Sequence, residues 1–314
     1  MTLMGSVGRI AAAKNNADDV RRVQQLLNSV LLPKAARSET RGSMAITLDS
    51  IPPFAPLATD GQIGAKTIAA IVWFQKNVLG LPKPDGVVKP DGITIRTLEK
   101  PPVGLNVSAI VERAVALPKA GGGARLTALD YEQTAKDLGL EVAVVKAVAK
   151  VESAGAGFIG DGRPIIRFEA HWFSRLSDRF YDGVFPTISV RKRDDSLVQG
   201  GEAGLRREFS RLSNAMALDR GAALRSASWG LFQIMSFNHQ SSNFNSVDEM
   251  VDAMSKTEGH QLRAFANFIR KLGYVKYLKK KDWAAFAYRY NGEDFGDYDD
   301  LLESAYKSYS EKKK

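Results

Sequence analysis

The chain has 314 residues, 44% of them hydrophobic and 25% charged, with no cysteine and a formal net charge of +9. That length holds two domains with a core each, and the missing cysteine excludes disulfides, a thiolate nucleophile and Cys-ligated zinc. The positive charge favours an anionic polymer as partner. Nucleic acid, a membrane surface and the cell wall all qualify, but without zinc-finger spacing, an RNP motif or a basic heptad run nucleic acid is the weak reading.

Met1 to Ala13 has no apolar segment between a basic end and a cleavage site, so no secretory signal is expected. No apolar run approaches the roughly 20 residues of a spanning helix, so no stable membrane insertion is expected either. Val20, Val23, Leu27, Val30 and Leu31 recur at helical spacing, with Asp18 and Asp19 at the end where a helix dipole favours them. Pro33 to Pro56 reads as an inserted loop. Asp60-Gly61 then turns the chain into a second helix carrying Ile68, Ile71, Val72, Gln75 and Val78. Asp85-Gly86-Val87-Val88 and Asp91-Gly92-Ile93-Thr94 open a third. Thr67 and Thr94 are expected as N-caps, and Trp73 and Phe74 as core. Lys100-Pro101-Pro102-Val103-Gly104 stops a helix and stiffens a linker, and Gly121-Gly122-Gly123 is a softer break. The expected division is a domain at 1–100, a linker at 101–107 and a domain at 108–314.

Leu140 to Glu152 reads as a buried helix, with Val142, Val145, Val148 and Ala149 on one stripe. Glu152 stands at its end, before a Gly- and Ala-rich run that cannot continue it. Apolar company and the negative end of the helix dipole both disfavour a carboxylate there and raise its pKa. A general acid working near neutral pH needs that. Asp161-Gly162 between two apolar runs signals a hairpin, and Glu169 follows it. Two carboxylates so placed suit glycoside hydrolysis, although Glu169 can equally pair with Arg167 or cap the next helix. Asp182 to Phe209, with its Arg-Lys-Arg-Asp-Asp run, reads as a mobile loop or a solvated face. In Ser226 to Met235 the polar group is Gln233, whose amide can bond a sugar. Trp283, Phe286, Ala287 and Tyr290 form a helical face stopped by Asn291-Gly292. Trp229, Phe232 and Trp283 are expected as core.

Val20-Arg21-Arg22-Val23-Gln24-Gln25-Leu26-Leu27-Asn28, Asp60 to Thr67 and Trp73-Phe74-Gln75-Lys76, in that order, resemble the peptidoglycan-binding module of wall hydrolases. Glu152-Ser153, Gly230-Leu231-Phe232-Gln233 and Ala287 to Gly292 resemble the three signatures of the goose-type lysozyme and lytic transglycosylase superfamily. More closely, Val151-Glu152-Ser153, Arg167 to His171, Ala227 to Met235 and Asp282 to Ala287 are similar to the N-acetylmuramidase domain of modular phage endolysins, over roughly residues 125–308. The resemblance implies a mainly α chain: an α+β lysozyme-like catalytic domain with a small β-hairpin, behind a three-helix wall-binding domain. It implies Glu152 as the acid and Gln233, Tyr290 and Asn291 as cleft residues that bind substrate, with Ser228 a further candidate beside Gln233. The resemblance alone permits hydrolysis or transglycosylation after N-acetylmuramic acid, and Glu169, as a second carboxylate across the cleft, favours hydrolysis. Bacterial peptidoglycan is the implied partner of a monomer without metal or cofactor. The chain would stay in the host cytoplasm until a pore-former opens the way to the wall. A lytic transglycosylase giving 1,6-anhydro products and a non-catalytic wall-binding virion protein are the alternatives. A zinc amidase is disfavoured because His171, His239 and His260 lack ligand spacing, and no Gly-x-Ser-x-Gly elbow is present.

Overall fold

The structure, a computed structural model, describes residues 3–32, 56–152 and 156–311. The inserted loop expected from Pro33 lies outside these residues, except for Pro56 at its end, and so do Ser153, Ala154 and Gly155.

Among the described residues the chain is mainly helical, with thirteen α-helices and five short strands. In order they are β1 (Val7–Gly8), α1 (Ala17–Leu31), α2 (Ala65–Asn77), β2 (Val87–Val88), α3 (Ile93–Glu99), α4 (Val107–Val115), α5 (Ala128–Leu138) and α6 (Val142–Glu152). Then follow β3 (Ile166–Phe168), α7 (Ala170–Leu176), α8 (Gly201–Arg225), β4 (Ala227–Trp229), β5 (Ile234–Met235), α9 (Val247–Met254) and α10 (Glu258–Lys271). The last three are α11 (Val275–Lys280), α12 (Trp283–Asn291) and α13 (Tyr298–Ser310). They form two compact units. One is built from Met1–Ala116, Ala170–Leu197 and Ser210–Ala223, the other from Leu117–Glu169, Val198–Phe209 and Leu224–Lys314.

In the first unit α1 buries Val20, Val23, Leu27 and Leu31, as its stripe requires, and Asn16 accepts from the Asp18 amide at its start. The second helix is buried on nearly every side: Ala69 through Gln75 are all inside. A helix so enclosed is a core helix rather than a surface one. Part of its cover comes from far along the chain, because the Trp73 indole N–H donates to the Ala217 carbonyl at 2.8 Å. Trp73 and Phe74 are core, as expected.

The Asp-Gly repeat has a physical basis that spacing alone did not show. Gln24 Nε2 donates to Asp60 Oδ1, the Gln62 carbonyl and Thr67 Oγ1, while Gln24 Oε1 accepts from the Gly61 amide. Gln75 repeats this, with Nε2 donating to Asp85 Oδ1, the Val87 carbonyl and Thr94 Oγ1, and Oε1 accepting from the Gly86 amide. Each glutamine is 1% exposed, so its amide is satisfied inside the fold. Thr67 and Thr94 are therefore not caps. Gly64 and Gly92 hold those positions, and the threonine hydroxyls face the glutamines. Nor does Val87-Val88 lead directly into a helix: it pairs antiparallel with β1, Val7 opposite Val88 and Gly8 opposite Val87. Gly8 is needed there, since a Cβ would sit 2.3 Å from the Gly86 carbonyl oxygen.

Asp182 to Phe209 divides. Arg191 to Asp195 is exposed, the solvated face expected, but Tyr181 just before it and Ile188 within it are buried. From Gly201 the chain is helical, and α8 is broken at Asp219, whose φ of −149° and ψ of 93° are not helical. Asp219 Oδ1 recaps the helix by accepting from the Ala222 amide at 3.0 Å, and its other oxygen pairs with Lys76.

In the second unit α6 lies against α5 and α13, and α10 packs on α5 and α9. Thr127 and Asp130 form a capping box on α5, and Gly139 closes that helix in the left-handed conformation. The three-stranded antiparallel sheet runs β3-β4-β5. Ahead of it, Phe158 and Pro164 bridge across a turn at Asp161-Gly162, the expected hairpin in its shortest form.

Candidate active site

Glu152 is the last residue of α6, a helix whose other turns bury Val144, Val145, Ala147 and Val148. Its carboxyl is half-buried, and Tyr298, the first residue of α13, donates its hydroxyl to Glu152 Oε1. Tyr290 acts on the same carboxylate from α12. Burial raises the Glu152 pKa from the usual 4.5 to about 7, and the two tyrosine hydroxyls, which favour the charged form, pull against it. Near neutral pH a large share of the group holds its proton. Burial, and then the charge of Glu152, push both tyrosines up, so each stays a hydroxyl donor.

Tyr290 is fixed from behind. Its ring stacks on Phe286 at 5.6 Å and meets Phe265 edge-on at 5.6 Å, and Phe265 stacks on Phe232 at 4.4 Å. Its hydroxyl also reaches the Phe232 carbonyl at 3.3 Å, which ties the Glu152 neighbourhood to the β4–β5 turn. Asn291, the last residue of α12, is exposed and bears on the Tyr298 hydroxyl. The structure thus gathers Glu152, Tyr290 and Asn291.

Ser228 on β4 and Gln233 on that turn form a second cluster. Ser228 is buried, and its hydroxyl donates to Gln233 Oε1 at 2.9 Å. Gln233 is exposed, at a left-handed φ of 44°, and its Nε2 donates to the Gly230 carbonyl at 2.7 Å. The amide is thereby oriented by the turn that carries it. Glu169 follows β3, its amide donating to the Ser226 carbonyl at 2.8 Å and its carboxylate pairing with Arg167 at 3.0 Å. Of the roles open to Glu169 in the sequence, the ion pair is present. Arg167 stands opposite Ser228 across the sheet, so Arg167, Glu169 and Ser228 share one face.

Two positioning residues have no local signal in the sequence. Glu258, 4% exposed, accepts from the Gly157 and Leu126 amides and from Arg125. Gln261, fully buried, accepts from the Leu231 amide at 2.8 Å and donates to the Met254 carbonyl at 2.9 Å. Between them they pin Gly157 and the turn before Gln233. No Cβ fits at Gly157 or Gly230, where it would fall 2.2 Å and 2.5 Å from the Gln261 amide group. Tyr298 was also missed: a tyrosine at the head of a helix 146 residues downstream carries no mark that pairs it with Glu152.

Residues 141–310 match the family described as Muramidase, N-acetylmuramidase. The chain belongs to the N-acetylmuramidase family. This muramidase is thereby a glycoside hydrolase, and peptidoglycan is the substrate its family implies. Among solved structures it is similar to the crystal structure of the Burkholderia AP3 phage endolysin, with 29% identity and a TM-score of 0.56, covering 99% of this chain and 100% of that one. No curated protein matches it. No helix among its described residues is long and apolar enough to cross a membrane.

Proposed function

We propose that this muramidase is a phage endolysin that hydrolyses the glycosidic bond after N-acetylmuramic acid, with Glu152 as general acid. The observation that carries the reading is the Glu152 carboxyl, half-buried at a helix end and held by the Tyr298 hydroxyl, where burial raises its pKa to about 7. A positioned acid that keeps its proton at the working pH can protonate the leaving oxygen as the bond breaks. Tyr290, Tyr298 and Asn291 orient that acid, and Ser228 holds the Gln233 amide toward substrate. Glu169, held by Arg167, stabilises the sugar cation or receives a proton from water. A carboxylate partner favours capture by water over attack by the sugar's own 6-hydroxyl.

Residues 1–100 supply wall binding to the catalytic region at 108–314, which the repeated Asp-Gly turns and their glutamines support. The protein acts as a monomer, waits in the host cytoplasm and reaches the wall once a pore-former opens the inner membrane.

The test is mass spectrometry of products from purified peptidoglycan, beside Glu152→Gln and Glu169→Gln. Reducing ends are expected, with both variants impaired. Predominantly anhydro products would make the enzyme a lytic transglycosylase. Reducing ends with a fully active Glu169→Gln would remove that residue from the chemistry.

A further inference from the structure

The first compact unit carries a surface pocket of about 300 Å³ lined by His171, Trp172, Ser174, Arg175, Arg179 and Arg191. All six belong to α7 and the segment after it, none is acidic, and Glu152 is in the other unit. The Arg175 guanidinium stands 5.3 Å above the Trp172 ring, and His171 lies 5.7 Å from the same ring. Arg175 and Arg179 are exposed and have no carboxylate partner among the described residues, whereas Arg191 is 3.4 Å from Asp182. The backbone is bent to bring Arg179 back to this place. Asp178 and Arg179 are both in the left-handed region, at φ of 53° and 59°, and the Arg179 amide closes the turn on the Ser174 carbonyl at 2.7 Å. Two successive non-glycine residues in that region cost free energy, and such strain gathers at sites that use it.

We propose that this pocket binds a carboxylate of the peptidoglycan stem peptide, so that the protein reads the peptide as well as the glycan. This rests on peptidoglycan being the substrate. The guanidinium forks offer paired N–H donors matched to a planar carboxylate. The Trp172 face beside them gives the neighbouring peptide or sugar a flat apolar surface. The stems carry carboxylates at each repeat of the polymer, and a guanidinium without an internal acid is available to them.

The experiment measures binding of the full-length chain in a Glu152→Gln background, so that the wall stays intact. Arg175→Gln with Arg179→Gln is compared with the parent on purified peptidoglycan and on glycan strands stripped of stems by an amidase. Both arginines are exposed, so the double variant should keep its fold, and Arg175→Lys with Arg179→Lys retains charge without the fork. The expected result is a roughly tenfold loss on intact wall, a smaller loss for the lysine pair, and no difference on stripped glycan. A soluble tripeptide with two free carboxylates should displace the parent from intact wall. Unchanged binding to intact wall would overturn the proposal, as would an equal loss on stripped glycan. Displacement by inorganic phosphate but not by the tripeptide would overturn it in favour of a phosphate site. Failure of the muramidase reading would register separately, as wild-type protein that binds wall but releases no reducing ends.

Discussion

Replacing Glu152 by glutamine separates its charge from its shape. The amide oxygen can still accept from the Tyr298 hydroxyl, so the hydrogen bond and the volume remain while the ionisation goes. The folded-state pKa is raised from 4.5 to about 7, so the native protein binds the proton more tightly than the unfolded chain. The wild type therefore has this contribution in full below pH 4.5 and loses it as pH rises to about 7. Above that the fold carries a half-buried carboxylate at a cost of ~3 kcal/mol. Glutamine removes that cost. In thermal unfolding the variant should match wild type near pH 4 and melt roughly 5–10 °C higher above pH 8. Wall lysis by the same protein should fall roughly 100-fold to 10,000-fold, the range that general acid help supplies. A stability difference that does not change with pH, or a wild type more stable than the variant in alkali, would refute the electrostatic argument even if activity were lost.

Other outcomes follow from the same contacts. Wild-type activity should decline as pH rises through about 7, where Glu152 gives up its proton. Tyr298→Phe removes a donor that favours the carboxylate, so the alkaline limb of the pH–rate profile should move up by about one pH unit; an unmoved limb would show that the hydroxyl has no hold on the acid. Gly230→Ala meets both a left-handed φ of 70° and the Gln261 side chain, and should lower stability by ~3 kcal/mol in denaturant titration. A fragment 108–314 should be less stable as well as weaker on wall, because Asp219 and the Leu218 and Ala217 carbonyls lose Lys76, Asn77 and Trp73. Circular dichroism melting of the fragment checks this, and a native-like transition would show the two parts to be independent.

What could be read from the chain was what its neighbours announce. Glu152 was legible because an apolar helix runs into a glycine-rich stop beside it. The stripes of α1 and α6 and the stop at Gly292 depend on residues three or four apart. Gln24 and Gln75 were visible inside a motif, but their work was not, because amphipathic spacing says nothing about an amide buried between a turn and a threonine. Thr67 and Thr94 were misread for that reason: a hydroxyl near a helix start suits a cap and a buried acceptor equally well. Tyr298, Glu258 and Gln261 reach their partners only after distant helices pack, and no period in the sequence encodes a meeting 146 or 101 residues apart. The near-complete burial of α2 depended on Ala217, which is just as remote in sequence.

That remoteness bears on how the protein is made. The first compact unit begins at the N-terminus but is finished only by residues up to Ala223. Trp73 leaves the ribosome 144 residues before the carbonyl that accepts its indole proton. At about 5–20 residues per second, the nascent chain waits roughly 7–30 seconds before the acceptor of that tryptophan is made. Over that interval the early helices are a client for holding chaperones, and the order of synthesis, rather than the final stability, sets the hazard of misassembly.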